Sequence, residues 1–224
     1  MITGLFISRQ ATEKYDYRFI TTQHLQTMKI ILFLCSLLLF SFTVNSGKLP
    51  VNRWVVESNS SLFIEGRSNI SPFRCDVTRY LKADTLELFK DEKGRQFIFS
   101  NSYLTIDING FDCHQRFITN DFRKTLKATQ NRYLKVHMIS LGLFDTDNRQ
   151  LVKGNVEIEL AGVLKKVAVD FVSTPTGPGR IQMSGSKTLL FSDFNLVPPR
   201  KLAGFVRIEE EIKVNFQLCF KIIP

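Results

Sequence analysis

From Ile208 to Phe220 the chain alternates in character. Ile208, Ile212, Val214, Phe216, Leu218 and Phe220 are apolar, while Arg207, Glu209, Glu211, Lys213, Asn215 and Gln217 are polar. A period of two sends one set to one face of an extended strand and the other set to the opposite face. One dry face and one wet face mark antiparallel sheet, because parallel strands are covered on both sides and read as unbroken apolar runs. The alternation recurs in Leu62, Ile64, Ser68 and Ile70, in Leu104, Ile106 and Ile108, and in Leu134, Val136 and Met138. It recurs again in Val156, Ile158 and Leu160 and in Val167, Val169 and Phe171, with Trp54-Val55-Val56 and Phe97-Ile98-Phe99 as shorter stretches. Lys93-Gly94, Asn109-Gly110, Ala161-Gly162, Pro175-Thr176-Gly177-Pro178-Gly179 and Val197-Pro198-Pro199 punctuate these runs, Asn-Gly being the strongest turn signal.

One helix is predicted over residues 120–128, with Thr119 or Asn120 as its cap and Phe122 and Leu126 on one face. A helix this short does not persist alone and has to dock. With one helix available, about eight half-apolar strands cannot be covered by helices, and an open sheet would leave its dry face wet and its edges unpaired. The expected fold is all-β, an antiparallel barrel or sandwich of about eight strands. A barrel of that size holds packed side chains or one elongated ligand.

The start of the chain calls for separate treatment. Met28-Lys29 precedes an uncharged apolar run over residues 30–44, followed by Asn45-Ser46-Gly47-Lys48. One positive charge, an apolar core of about 15 residues and small residues at a cleavage point are the anatomy of a secretory signal, and a bilayer span needs about 20 apolar residues. We therefore expect residues 1–27 to be a mis-assigned or disordered leader, residues 28–46 a signal peptide, and residues 47–224 the exported domain, periplasmic or secreted. Export removes Cys35 and leaves Cys75, Cys113 and Cys219 where disulfides persist. Cys75 and Cys113, each next to a strand-like stretch, are the candidate pair; three reduced, buried thiols are the alternative. The formal charge of +9 contains no run of five basic residues, so it does not indicate nucleic acid.

Several segments carry a resemblance. Trp54-Val55-Val56 followed by Ser60-Ser61-Leu62-Phe63-Ile64-Glu65-Gly66-Arg67-Ser68-Asn69-Ile70-Ser71-Pro72-Phe73-Arg74-Cys75 resembles the opening strands of the YceI-like proteins, in the variant with Cys at this place. Phe111-Asp112-Cys113, running into Asp121-Phe122-Arg123-Lys124-Thr125-Leu126-Lys127, is similar to that family's helix after its second Cys. Ser192-Asp193-Phe194-Asn195-Leu196-Val197-Pro198-Pro199 resembles its closing signature, usually Asp-Phe-Gly-Ile; Asn195 replaces the Gly and tolerates left-handed backbone. The family's Pro before the strand after the helix is absent, the chain reading Asn131-Arg132-Tyr133-Leu134. The resemblance covers about residues 52–220. It implies a lipocalin-like antiparallel barrel, exported, binding a long isoprenoid-type lipid inside.

The candidate lining for such a ligand is Leu62, Ile64, Phe73, Leu104, Ile106, Val136, Met138, Val156, Ile158, Val169, Phe171, Ile181, Met183, Ile212, Val214 and Phe216. The residues alone fit equally a barrel packed shut, an envelope structural or interaction protein; the resemblance favours a bound isoprenoid lipid or quinone as the only cofactor-like occupant. The positive exterior adds an expected salt-sensitive preference for anionic membrane surfaces. Glu210 falls on the apolar parity of the last strand, which reads as a bulge or rim position, with a head-group contact as the alternative. No HExxH, CxxC or phosphate loop occurs, and His114, His137 and Asp193 form no catalytic spacing, so an enzyme is not expected; Asp193-Phe194 reads as a side-chain-capped turn with Phe194 buried.

Overall fold

A computed structural model describes residues 51–77, 84–100, 102–201 and 205–223. The leader and the signal-like run, residues 1–27 and 28–46, lie outside the described residues. In chain order the strands are β1 (Asn52–Val56), β2 (Ser61–Ser68), β3 (Pro72–Val77), β4 (Thr85–Lys90), β5 (Gln96–Ser100), β6 (Tyr103–Asp107) and β7 (Phe111–Asp112). Helix α1 (Arg116–Thr125) follows, then β8 (Tyr133–Gly142), β9 (Gln150–Leu160), β10 (Val163–Gly177), β11 (Arg180–Leu190), β12 (Arg200–Lys201) and β13 (Val206–Ile223). 

The pairing β1-β4-β5-β8-β9-β10-β11-β13 returns to β1, so eight antiparallel strands close on themselves as a lipocalin-like barrel. Closure gives each of these strands a partner on both sides along part of its length, which answers the problem posed by the half-apolar pattern. The remaining strands exist because the longest ones are shared. On one flank β13 pairs with β2 over residues 208–217 and with β1 over residues 220–223. In the same way β8 takes β6 at residues 133–137 and β5 at residues 140–142.

Strands β3, β4, β7, β11 and β12 go beyond the sequence expectation. Most are short, and in β11 the inward parity Ile181, Met183, Leu189 is broken by Gly185 and Lys187. The Ala161-Gly162 turn has φ of 53° and 80°, the two positive values that a type I′ hairpin between twisted strands requires. Asn109-Gly110 also turns the chain, but within a 3-10 turn at Ile108–Gly110, where the Asp107 carboxylate accepts the Asn109 N–H at 2.9 Å.

The helix begins earlier than expected and ends earlier, at Arg116–Thr125 and not over residues 120–128. Thr119 is not its cap: its hydroxyl oxygen accepts the Cys113 N–H at 2.9 Å, fastening the helix to the chain before it. Gln115 stands at the start with no side-chain cap, and Lys127 at φ 54° breaks the helix at its end. Phe122 and Leu126 are both buried, as the spacing required. Cys75 on β3 and Cys113 before α1 form a disulfide, tying the helix entry to the sheet. Cys219 remains free and buried; burial pushes its thiol above the ordinary cysteine range and keeps it protonated.

The barrel is filled at one end by aromatic side chains. Trp54 on β1 packs against Phe97 and Phe99 of β5, Phe144, and Phe220 of β13, with ring centroids 5.4 to 6.5 Å apart. These offset and edge-on contacts give the plug directional packing beyond simple burial. Leu86 and Leu88 of β4, Leu141 of β8 and Ile181 of β11 are buried to 1% exposure or less, and β1 and β4 bring Trp54 into register with Leu86.

Candidate ligand-binding lumen

Beyond the plug the inward faces no longer meet. A cavity of about 120 Å³ remains, walled by β2, β3, β6, β8, β9, β10, β11 and β13. The period-two pattern builds it, since the inward residues of each strand are the apolar ones: Leu62 and Ile64 of β2, Leu104 and Ile106 of β6, Val136 and Met138 of β8. Val156 and Ile158 of β9, Val169 and Phe171 of β10, and Ile212, Val214 and Phe216 of β13 complete those expected from the sequence. Val77, Leu126, Leu134, Leu160, Leu189, Phe194 and Leu218 line it as well. Its polar members are Ser60, Ser61 and Lys187, so the wall contains no carboxylate, imidazole or thiol that could act as acid, base or nucleophile.

Three expected lining residues lie elsewhere. Ile181 and Met183 share the inward parity of β11, but they stand in register with Phe220 and Leu218 toward the aromatic plug and are buried at 1% exposure. Alternation reports the face of a sheet and not the height along a barrel. Phe73 also faces inward, but its ring lies over Gly66 of β2, where any Cβ would overlap it, and borders the surface grooves outside the lumen. 

Lys187 went unread in the sequence. The same parity test that singles out Glu210 marks it, since it alternates with Met183, Gly185 and Leu189. Glu210 itself takes the structural role: β13 shifts register against β2 between Ile208 and Ile212, and the Glu210 carboxylate accepts the Ser192 N–H at 2.6 Å.

The 3-10 turn Phe191–Phe194 covers part of the lumen, with Phe194 buried against it. Asp193 caps this turn by accepting the Leu190 N–H at 3.1 Å and takes an ion pair from Lys165 of β10 at 2.6 Å. The Lys165 ammonium, with the Leu190 N–H second, holds the Asp193 carboxyl below the ordinary carboxylate range. Asn195 ends the turn at φ 52°, the left-handed position that its place in the closing signature demanded. His114 bonds Asp76 at 2.6 Å, and His137 stacks on Tyr103 at 4.6 Å; both stand outside the lumen wall. Among the described residues no group of three or more His, Cys, Asp or Glu side chains is placed to hold a metal ion.

No family model matches the sequence, and no curated protein matches it. Solved structures do. A polyisoprenoid binding domain from Saccharophagus degradans, implicated in plant cell wall breakdown, superposes with a TM-score of 0.55 at 14% identity, covering 75% of this chain and 97% of its own. BcnA from Burkholderia cenocepacia gives a TM-score of 0.54 at 13% identity, with coverage of 73% and 99%. The YceI protein of Campylobacter jejuni aligns over 54% of this chain and 71% of its own, at 18% identity and a TM-score of 0.44. The chain thus has the eight-stranded lipocalin-like barrel of the first two neighbours, built around an apolar lumen.

Proposed function

We propose that this protein is an exported, non-enzymatic lipid-binding protein, which takes the chain of an isoprenoid-type or other long amphiphile into its lumen to carry or sequester it. The observation that carries this reading is an apolar cavity enclosed by a closed ring of strands and opposite a firmly packed aromatic plug. Such a site binds by removing hydrocarbon from water, at about 0.8 kcal/mol per CH₂, and needs no polar constellation. The polyisoprenoid binding named for the Saccharophagus degradans domain supports the same class of ligand. Export is supported by the signal-like residues 28–46 and by the Cys75–Cys113 disulfide, which persists in an extracellular or periplasmic setting.

At about 120 Å³ the lumen far exceeds the ~10–15 Å³ that one water needs, yet falls below the ~300 Å³ of the smallest ordinary ligand pockets. A long chain therefore has to part the wall or leave some of its length outside. Mass spectrometry of an organic extract of the purified protein tests the function. A stoichiometric long-chain amphiphile, isoprenoid or quinone included, is the expected result; an empty protein that also binds no added polyprenyl lipid overturns it.

A further inference from the structure

This inference rests on the lumen being a chain-binding site and concerns what the other end of the ligand meets. β10 and β11 pair only through residues 172–177 and 180–184. Past that point they fork: residues 163–171 of β10 pair with β9, and residues 185–190 of β11 pair with β13. At the root of the fork the strands still touch, since a Cβ on Gly185 would stand 2.6 Å from the Asp170 carbonyl oxygen. At its far end the Lys165–Asp193 ion pair ties β10 to the 3-10 turn after β11. Between root and tie no ladder hydrogen bonds join the two strands, so a chain can enter there without breaking any.

Lys187 stands on the β11 side of this fork. It is level with the lumen, in register with Val214, which in turn is in register with Ile64, both of them lining residues. The wall it contributes to is apolar, and long basic side chains at an apolar boundary lay their stems along it and turn the ammonium to the margin. Lys187 is half-buried, and among the described residues it takes part in no ion pair and no side-chain hydrogen bond. Two acidic groups beside the fork do not serve it: Asp193 is taken by Lys165 and the Leu190 N–H, and Asp170 lies on the solvent parity of β10. Lys187 thus has no anion among the described residues, and an anionic head group at the fork would supply one.

We propose that Lys187 binds the anionic head group of a single-chain amphiphile whose tail enters the lumen through the β10–β11 fork. The ligand class is thus narrowed from neutral quinones and alcohols to chains bearing a phosphate or carboxylate. One cation is too little to hold a free anion, so the chain supplies most of the affinity and the head group supplies the selectivity.

The test is calorimetric titration of the mature protein with farnesyl monophosphate and with farnesol, below their aggregation limits, in the wild type, Lys187→Met and Lys187→Arg. The wild type should bind the phosphate about tenfold more tightly than the alcohol, a charge-assisted hydrogen bond's worth. Lys187→Met should bring that ratio to about one, Lys187→Arg should keep most of it, and inorganic phosphate should not compete. Because Lys187 has no ion pair or side-chain hydrogen bond among the described residues, both variants should melt near the wild type, which separates lost selectivity from lost folding. Equal affinities in the wild type, or an unchanged ratio in Lys187→Met, overturn the head-group assignment while leaving the chain-binding lumen standing. Failure of both ligands to bind the wild type overturns the lumen reading and the assignment with it.

Discussion

Asp193 is the residue whose role was most legible in advance. Its place in the closing signature suggested a capped turn over a buried Phe194, and the carboxylate does accept the Leu190 N–H, with Phe194 at 1% exposure. What no sequence pattern displayed is Lys165, 28 positions away, which pairs with it across the fork. Because the folded carboxyl titrates below its unfolded value of about 3.9, the stability it contributes is fully present above that value and is lost as pH falls through the folded one. The pair is part-exposed, Lys165 at 43%, so screening limits it to about 1 kcal/mol or less. Asp193→Asn should lower Tm by about 2–4 °C at pH 7, with the difference closing as pH falls below the ordinary carboxylate range. A constant difference across that range, in thermal scans by circular dichroism, would contradict the pairing. Phe73, Ile181 and Met183 mark the limit of residue-level reading, since alternation gives the face a side chain takes and not what it meets there.

At the scale of elements, the strands were readable wherever alternation ran uninterrupted, as in β9, β10 and β13, and were missed where it was short or broken. β4 offers only Leu86 and Leu88, and β11 is interrupted by Gly185 and Lys187. The helix was placed four residues late because Thr119, a good cap by type, is used to hold the Cys113 N–H. Which strand pairs with which, and so the fork itself, has no trace in local periodicity, because pairing depends on residues distant in sequence. The disulfide was legible as a choice between two readings. It closes a loop of sequence separation 38, which on the chain-entropy account restricts the unfolded state by about 4 kcal/mol. The double variant Cys75→Ala/Cys113→Ala should therefore melt about 10 °C lower, with its near-ultraviolet spectrum otherwise intact. A loss under 2 °C would mean that the bridge constrains little.

For the whole molecule, the all-β class and the count of about eight strands followed from one physical demand, that half-apolar strands without helices must close on themselves. The lumen did not follow, because a hollow and a filled barrel share one sequence pattern, and this barrel is both: packed around Trp54 at one end and open at the other. The exterior has its own apolar features. Ile70 and Phe117 border one groove, and Asn69 donates to the Phe205 carbonyl oxygen at 2.8 Å, bringing Phe205 beside the Ile70 turn; these side chains are 65% to 79% exposed. Together with the formal charge of +9, they lead us to expect sedimentation with phosphatidylglycerol vesicles at low salt and release at about 0.5 M salt, where the Debye length is only about 4 Å. No sedimentation at low salt would rule this out.

The claim on which the rest depends is that the lumen, and no surface groove, holds the hydrocarbon chain. Val214 lines that lumen from β13 and is half-buried, so Val214→Trp fills the cavity from within while leaving the plug, the disulfide and the outer grooves unaltered. Titration of farnesyl monophosphate into the wild type and into Val214→Trp, with Tm recorded for both, is the most direct measurement. We predict a loss of affinity of at least tenfold in a variant that still melts cooperatively near the wild type. Undiminished affinity in a folded Val214→Trp protein would place the chain outside the lumen and contradict the account.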